Sequence, residues 1–328
     1  MTRWAVLALM LAGGVAHGKA VAAPPDGYLA RLAAGVRHEL DALAEARKPP
    51  VTPPVPVAVK WRPVKVGSLD LGAPLVAMAA ADLDGDGKGE LYLVTTKEVI
   101  AVGLVGRAHE LGRVAFAGEP APLESRDVVG TAVVDGKTLV AGTSAWAKEL
   151  RVSWSAGTKR TLVAKVGDAA FTLCPGVHAS LAPGRNYFDT VAGPIYAARC
   201  RADLVNAQGQ PLVARAELAL TGKLAVAVEG ATEKLSAEVA ASGTAFELAD
   251  IDRDGQVEII ASEASAPGDA DAVRVFSLAD TKKPLFRKSF AGGVAGIAAV
   301  DGDGDGVAEV IAAVRLVGAT RVDLWRLD

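Results

Sequence analysis

From about Val57 to the C-terminus, short runs of Val, Ala, Leu and Ile alternate with turns rich in Gly and Asp. No long helical period interrupts them. Many short apolar runs of this kind, bounded by turn residues, predict antiparallel strands packed as a sandwich, barrel or propeller. The preceding segment has a different rhythm. Leu29, Leu32, Val36, Leu40 and Leu43 recur at spacings of three and four, which places them on one face of a helix. Asp26 is placed to cap that helix, and Pro49-Pro50 stops it. Between positions 49 and 56 stand five prolines, which predict a stiff extended linker. The helix stripe is expected to dock on the main domain, the alternative being a short pairing element.

The first residues read as an export signal. Arg3 supplies the positive start, Trp4 to Leu11 the apolar run, and Ala16-His17-Gly18 and Ala20-Val21-Ala22 two small-residue cleavage sites. The predicted division is therefore a signal peptide over 1–22, an amphipathic helix over 23–48, a linker over 49–56 and an all-β domain over 57–328. The expected location is outside the cytoplasm: periplasmic, cell-surface or secreted. No later apolar run has the length of a membrane-spanning helix. Cys174 and Cys200 are the two cysteines of the chain, and in an oxidising compartment they are expected to form a disulfide, with two buried thiols as the alternative.

Internal repeats decide among the all-β architectures. Three segments superimpose: Ala79 to Leu91, Glu247 to Ile259 and Ala298 to Val310. Each is strand, acidic loop, strand. A degenerate fourth copy runs from Ala132 to Val140, and its downstream Arg151-Val152-Ser153-Trp154 matches Arg321-Val322-Asp323-Leu324-Trp325 of the last copy. The loop starts at 82, 135, 250 and 301 are separated by 53, 115 and 51 residues. The middle gap fits two units, with an unrecognised loop expected near Asn186 to Thr190. About five units result, or six if Leu218 to Ala241 forms one of its own. Units of this length suit the four-stranded blade of a β-propeller. The last unit is one strand short, while Val64 to Leu71 form a spare strand ahead of the first acidic loop. Pairing the two closes the ring and removes the exposed edges.

In each loop carboxylates fall at positions 1, 3, 5 and 9, with Gly at position 6. Calcium takes six to eight hard oxygen ligands, which alternate side chains and a backbone carbonyl of a tight loop can supply. The expected ligands are Asp82, Asp84, Asp86, the Lys88 carbonyl and Glu90. In the second loop they are Asp250, Asp252, Asp254, the Gln256 carbonyl and Glu258. In the third they are Asp301, Asp303, Asp305, the Val307 carbonyl and Glu309. These are not EF-hands, because position 12 holds Leu93, Ala261 and Ala312 in place of a bidentate Glu. The shortened loop at Asp135 is not expected to hold a metal.

The D-x-D-G-D-G-x-x-E pattern between two apolar strands resembles the FG-GAP or VCBS repeat of integrin-α-like propellers. That resemblance implies calcium held between neighbouring strands of a blade, and a propeller of up to seven blades. The sites are expected to be structural, because a catalytic metal needs an open position and nearby acid–base groups, and the sequence gives little sign of either.

The formal net charge of −3 and the lack of a basic run exclude the electrostatic footprint of a nucleic-acid binder. His38, His109 and His178 stand isolated, and no nucleophile elbow, phosphate loop or dinucleotide fingerprint occurs. Gly184 to Asp189 combines a charge with two aromatics and is expected to pack locally. A non-catalytic binding or scaffold module for a protein or glycan partner is the expected function. A polysaccharide-acting enzyme and a structural component of an envelope assembly are the alternatives.

Overall fold

The structure, a computed structural model, describes residues 27, 35–37, 39–40, 53–116, 130–143, 146, 148–156, 160–169, 197–219, 221–232, 234–264, 269–315 and 320–327. The signal segment 1–22, Cys174, the Asn186 to Thr190 stretch and the Gly184 to Asp189 segment lie outside these residues. Residues 1–51 and 52–328 form two compact units. In the first, residues 35–37 and 39–40 are helical, and Val36 and Leu40 of the predicted stripe are exposed.

The second unit is a five-bladed β-propeller. Strand β1 (Pro63–Asp70) precedes the first blade, which is β2 (Leu75–Ala81), β3 (Glu90–Thr95), β4 (Glu98–Gly103) and β5 (His109–Ala115). The second blade is β6 (Gly130–Asp135), β7 (Thr138–Thr143), β8 (Leu150–Trp154) and β9 (Leu162–Val166). The third is β10 (Ala197–Val205), β11 (Pro211–Leu218), β12 (Leu224–Gly230) and β13 (Lys234–Val239). The fourth is β14 (Ser242–Ala249), β15 (Glu258–Glu263), β16 (Asp271–Ser277) and β17 (Phe286–Phe290). The fifth takes β18 (Gly293–Val300), β19 (Glu309–Arg315) and β20 (Arg321–Leu327) from the end of the chain and β1 from its start. Every pairing within the blades is antiparallel.

The first strands of successive blades touch in a ring: β2 with β6, β6 with β10, β10 with β14, β14 with β18, and β18 with β2. The spare strand closes it as expected, pairing Val64 with Arg326 and Asp70 with Arg321. Its register is marked by Asp323, which accepts from Lys65 Nζ at 2.7 Å and Ser68 Oγ at 2.6 Å. The matched Arg151 and Arg321 segments are the third strands of their blades, β8 and β20.

Packing explains why the strands carry two sequence textures. A strand covered on both faces by neighbouring blades has no solvent side to leave polar, so β3 is buried at every residue. A strand with one face against a neighbour alternates, as in β11, where Leu212, Ala214, Ala216 and Leu218 are buried. Apolar clusters then fill the seams between blades. Tyr92, Leu139 and Val152 lie between the first and second blades, and Val226, Leu248 and Ile259 between the third and fourth. Val273, Ile297 and Val310 join the fourth to the fifth, and Leu93, Ile311 and Leu324 join the fifth to the first.

Two expectations are corrected. The loop of the middle unit is the Asn206–Gln210 turn between β10 and β11, some twenty residues beyond Asn186 to Thr190. The region from Leu218 to Ala241 contains β12 and β13 of the third blade, not a sixth unit. Its small Ala-rich strands carry no acidic loop, so the repeat signal is silent there.

Residues 53–62 lead into β1 without regular secondary structure, and Trp61 adopts left-handed backbone with φ of +53°. Val59 and Trp61 pack on the cluster between the fourth and fifth blades, and Trp61 stacks on Phe286 with centroids 5.3 Å apart. Val57 N donates to the Asp252 carbonyl at 2.7 Å.

Candidate metal centre

The three acidic loops join the first and second strands of the first, fourth and fifth blades, so all three stand at the same end of the propeller. Their folding is local, and the first and third loops repeat it almost atom for atom. The first aspartate gathers the backbone N–H groups of the loop. Asp82 Oδ1 accepts from Gly85 N and Asp86 N, and its Oδ2 from Gly87 N at 2.9 Å. Asp301 does the same with Gly304, Asp305 and Gly306. Asp250 Oδ2 takes Gly255 N at 3.0 Å. The aspartates at positions 3 and 5 each accept from the N–H two residues on, an Asx-type turn. The chain curls this tightly because positions 4 and 6 adopt left-handed backbone. Position 6 is Gly in all three loops, with φ of +88° at Gly87, +83° at Gly255 and +84° at Gly306.

The predicted residues come together as follows. One oxygen each from Asp82, Asp84, Asp86 and Glu90 lies within 4.8 Å of the others. The same holds for Asp250, Asp252 and Asp254, and for Asp301, Asp303 and Asp305. Glu258 and Glu309 stand outside those groups. All three position-9 glutamates are buried and turn back to the N–H of position 2: Glu90 to Leu83 at 3.2 Å, Glu258 to Ile251 at 2.8 Å and Glu309 to Gly302 at 2.9 Å. Lys88, Gln256 and Val307, expected to offer carbonyls, are held through their N–H groups, each of which donates to the position-5 aspartate.

Crowded carboxylates in partly buried loops resist ionisation. Burial pushes Glu90 up to about 7, with Asp84 and Asp82 adding to the rise. Burial likewise lifts Glu258 to about 8, Glu309 to about 6 and Asp250 to about 6, and neighbouring aspartates contribute in each case. A divalent cation relieves both causes at once, since it replaces lost hydration and offsets the mutual repulsion. The donor set fits such an ion. It is all hard oxygen, three or four carboxylates of each loop bring an oxygen within 4.8 Å of one another, and Asp250 Oδ1 is buried with no hydrogen-bond partner among the described residues.

Several contacts around the loops carry no sequence signature. Trp154 Nε1 on the second blade donates to Tyr92 Oη at 2.8 Å, and Tyr92 Oη donates to Glu90 Oε2 at 2.7 Å. The chain of bonds orients Glu90 from a neighbouring blade. Arg160 pairs with Asp84 at 2.7 Å. Neither partner was foreseeable, because each comes from a strand or turn some 60 or more residues away. Trp154→Phe removes the first donor while keeping the ring, and is expected to cost about 1 kcal/mol, read as a fall in melting temperature.

The other two blades show what the motif becomes without its carboxylates. The second blade turns tightly through Gly136 and Lys137, leaving Asp135 paired with Thr138 in the ladder. In the third blade Asn206 Oδ1 accepts from Gln208 N at 3.0 Å and Gln210 N at 2.9 Å. A neutral amide there makes the turn that an aspartate makes elsewhere. Cys200 is buried on β10, and its expected partner lies outside the described residues. His109 contacts the Arg107 carbonyl through Nδ1 at 3.0 Å.

No protein family and no curated protein matches the sequence. Among solved structures, the chain is similar to the core factor of S. cerevisiae at 9% identity and a TM-score of 0.42, over 87% of this chain. It spans 63% of that chain's length. It is also similar to the SapL1 lectin, solved with alpha methyl fucoside, at 12% identity and a TM-score of 0.31, over 76% of this chain and 78% of that one. The WD40 domain of SCAP from fission yeast is similar at 10% identity and a TM-score of 0.27, over 76% of this chain and 70% of that one. Among the described residues, no helix is long and apolar enough to cross a membrane.

Proposed function

We propose that this chain is an exported, calcium-binding propeller of the FG-GAP or VCBS type, acting as a non-catalytic binding or scaffold module for a protein or glycan partner. The observation that carries this reading is the convergence of carboxylate oxygens in three equivalent loops at one end of the ring. The calcium is structural. Each ion joins the first and second strands of its blade, and binding only to the folded state stabilises that state by mass action. Asp82, Asp84, Asp86 and Glu90 form the first site. Asp250, Asp252 and Asp254 form the second and Asp301, Asp303 and Asp305 the third, with Glu258 and Glu309 turning in when the ion binds. The loop carbonyls of Lys88, Gln256 and Val307 complete the sets. Export rests on the N-terminal segment, and the oxidising compartment that it implies supports a Cys174–Cys200 disulfide.

Calorimetric titration of the chelator-stripped protein with calcium tests the assignment. Three ions per chain are expected, and Asp84→Ala, Asp252→Ala and Asp303→Ala should each remove one. A stoichiometry unchanged in all three variants would place the ions elsewhere.

A further inference from the structure

Among the described residues, the first strand of every blade pairs on one side only, so β2, β6, β10, β14 and β18 each turn an unpaired edge toward the axis of the ring. Carbonyls on such an edge, buried away from water, need donors. Arg199, on β10 and 8% exposed, supplies them. Its Nη1 donates to the Ala132 carbonyl of β6 at 3.0 Å. Its Nη2 donates to the Met78 carbonyl of β2 at 3.0 Å and reaches the Ile297 carbonyl of β18 at 3.5 Å. Its Nε stands 3.4 Å from Glu247 Oε2 on β14. One side chain from the third blade thus touches the first strand of each of the other four.

We propose that Arg199 is an axial pin, a single guanidinium that closes the centre of the ring and couples all five blades, so that they open together. The chemistry of the group suits the task. A guanidinium carries five N–H donors in a rigid plane, which lets it address carbonyls on several sides at once. A lysine has three donors at one point and cannot reach β2, β6 and β18 together. The charge is compensated locally. Glu247 is itself buried, accepts Leu248 N at 3.0 Å, and has Arg201 at 3.6 Å on its other oxygen. Arg201 in turn is held by both oxygens of Asp203 at 2.7 Å. The pin also spans the join between the second and third blades, through Ala132. The acidic loops play no part in it, so it stands independently of the calcium reading.

Melting and native-state hydrogen exchange of the full chain, in one buffer, test the pin. Arg199→Met is expected to lower the melting temperature by about 10 °C, the scale for breaking a buried pair in a domain of this size. More tellingly, exchange should rise at least tenfold in β2, β6 and β18, remote in sequence from the substitution. Arg199→Lys should raise exchange in part of that set, and Glu247→Gln should loosen β14 and β10 while leaving the carbonyl contacts in place. The two milder variants carry the test if Arg199→Met does not fold. Melting within 2 °C of the parent, or faster exchange confined to β10 and β11, would overturn the proposal.

Discussion

Gly255→Ala is expected to abolish the fold of the second acidic loop, at a cost above about 4 kcal/mol. The position has φ of +83°, which alone costs an L-residue about 1–2 kcal/mol. The larger part is steric. A Cβ on Gly255 would fall 2.1 Å from Ala207 N, 2.4 Å from Ala207 Cα and 2.7 Å from the Asn206 carbonyl carbon. These are backbone atoms of the neighbouring blade's turn and cannot swing aside. Gly87→Ala is the control. It has the same place in the first loop and a φ of +88°, but open space where the Cβ would go. It should cost only the backbone strain. Urea denaturation of the two variants separates packing between the third and fourth blades from loop geometry. Equal destabilisation would mean that the turn at Asn206 does not bear on the loop.

The second large effect is a pH dependence that calcium removes. In metal-free protein, Glu90, Glu258, Glu309 and Asp250 hold protons up to about pH 7, 8, 6 and 6, above the values that they have in an unfolded chain. The folded state therefore binds more protons than the unfolded state across this range, and stability falls as pH rises through it. Each buried glutamate contributes on the order of 2 kcal/mol to that loss. Other carboxylates act the other way at low pH. Burial acts against the ionised form of Asp323, but Lys65 and Ser68 outweigh it and depress its pKa; hydrogen bonding to Arg287 depresses that of Glu263. Their contribution is lost as pH falls below the ordinary carboxylate range. Metal-free protein should thus be most stable near pH 5 and melt on the order of 10 °C lower at pH 8. With calcium bound, the loop carboxylates stay ionised and the fall toward pH 8 should disappear. A metal-free melting temperature that rises from pH 5 to pH 8 would mean that the loop carboxylates ionise freely.

Much of the architecture is legible in the sequence because the repeats carry it. The three acidic loops mark equivalent strand pairs, and the Trp-containing segments at Arg151 and Arg321 mark equivalent third strands. The shortage in the last unit and the surplus at Val64 together foretell the closing pair of β1 and β20. The third blade is the illegible one. Its turn uses Asn206 where the others use Asp, so no spacing of carboxylates announces it. The coordination geometry is legible only in part. Spacing brings the three aspartates of each loop together, yet it does not show that Glu258 and Glu309 turn back onto backbone N–H groups. Contacts between blades leave no trace in one chain read alone. Tyr92 with Trp154, Arg160 with Asp84, and Arg199 with its four neighbours all depend on strands brought together by ring closure.

The calcium reading is tested most directly by melting the chain at pH 7.5 with calcium, with magnesium and with a chelator. The propeller with three occupied loops predicts a melting temperature that is highest in calcium, lower in magnesium and lowest in chelator, with Asp252→Ala and Asp303→Ala each losing part of the calcium gain. Identical melting in all three conditions would contradict it, and would make the acidic loops turns held by their own backbone hydrogen bonds.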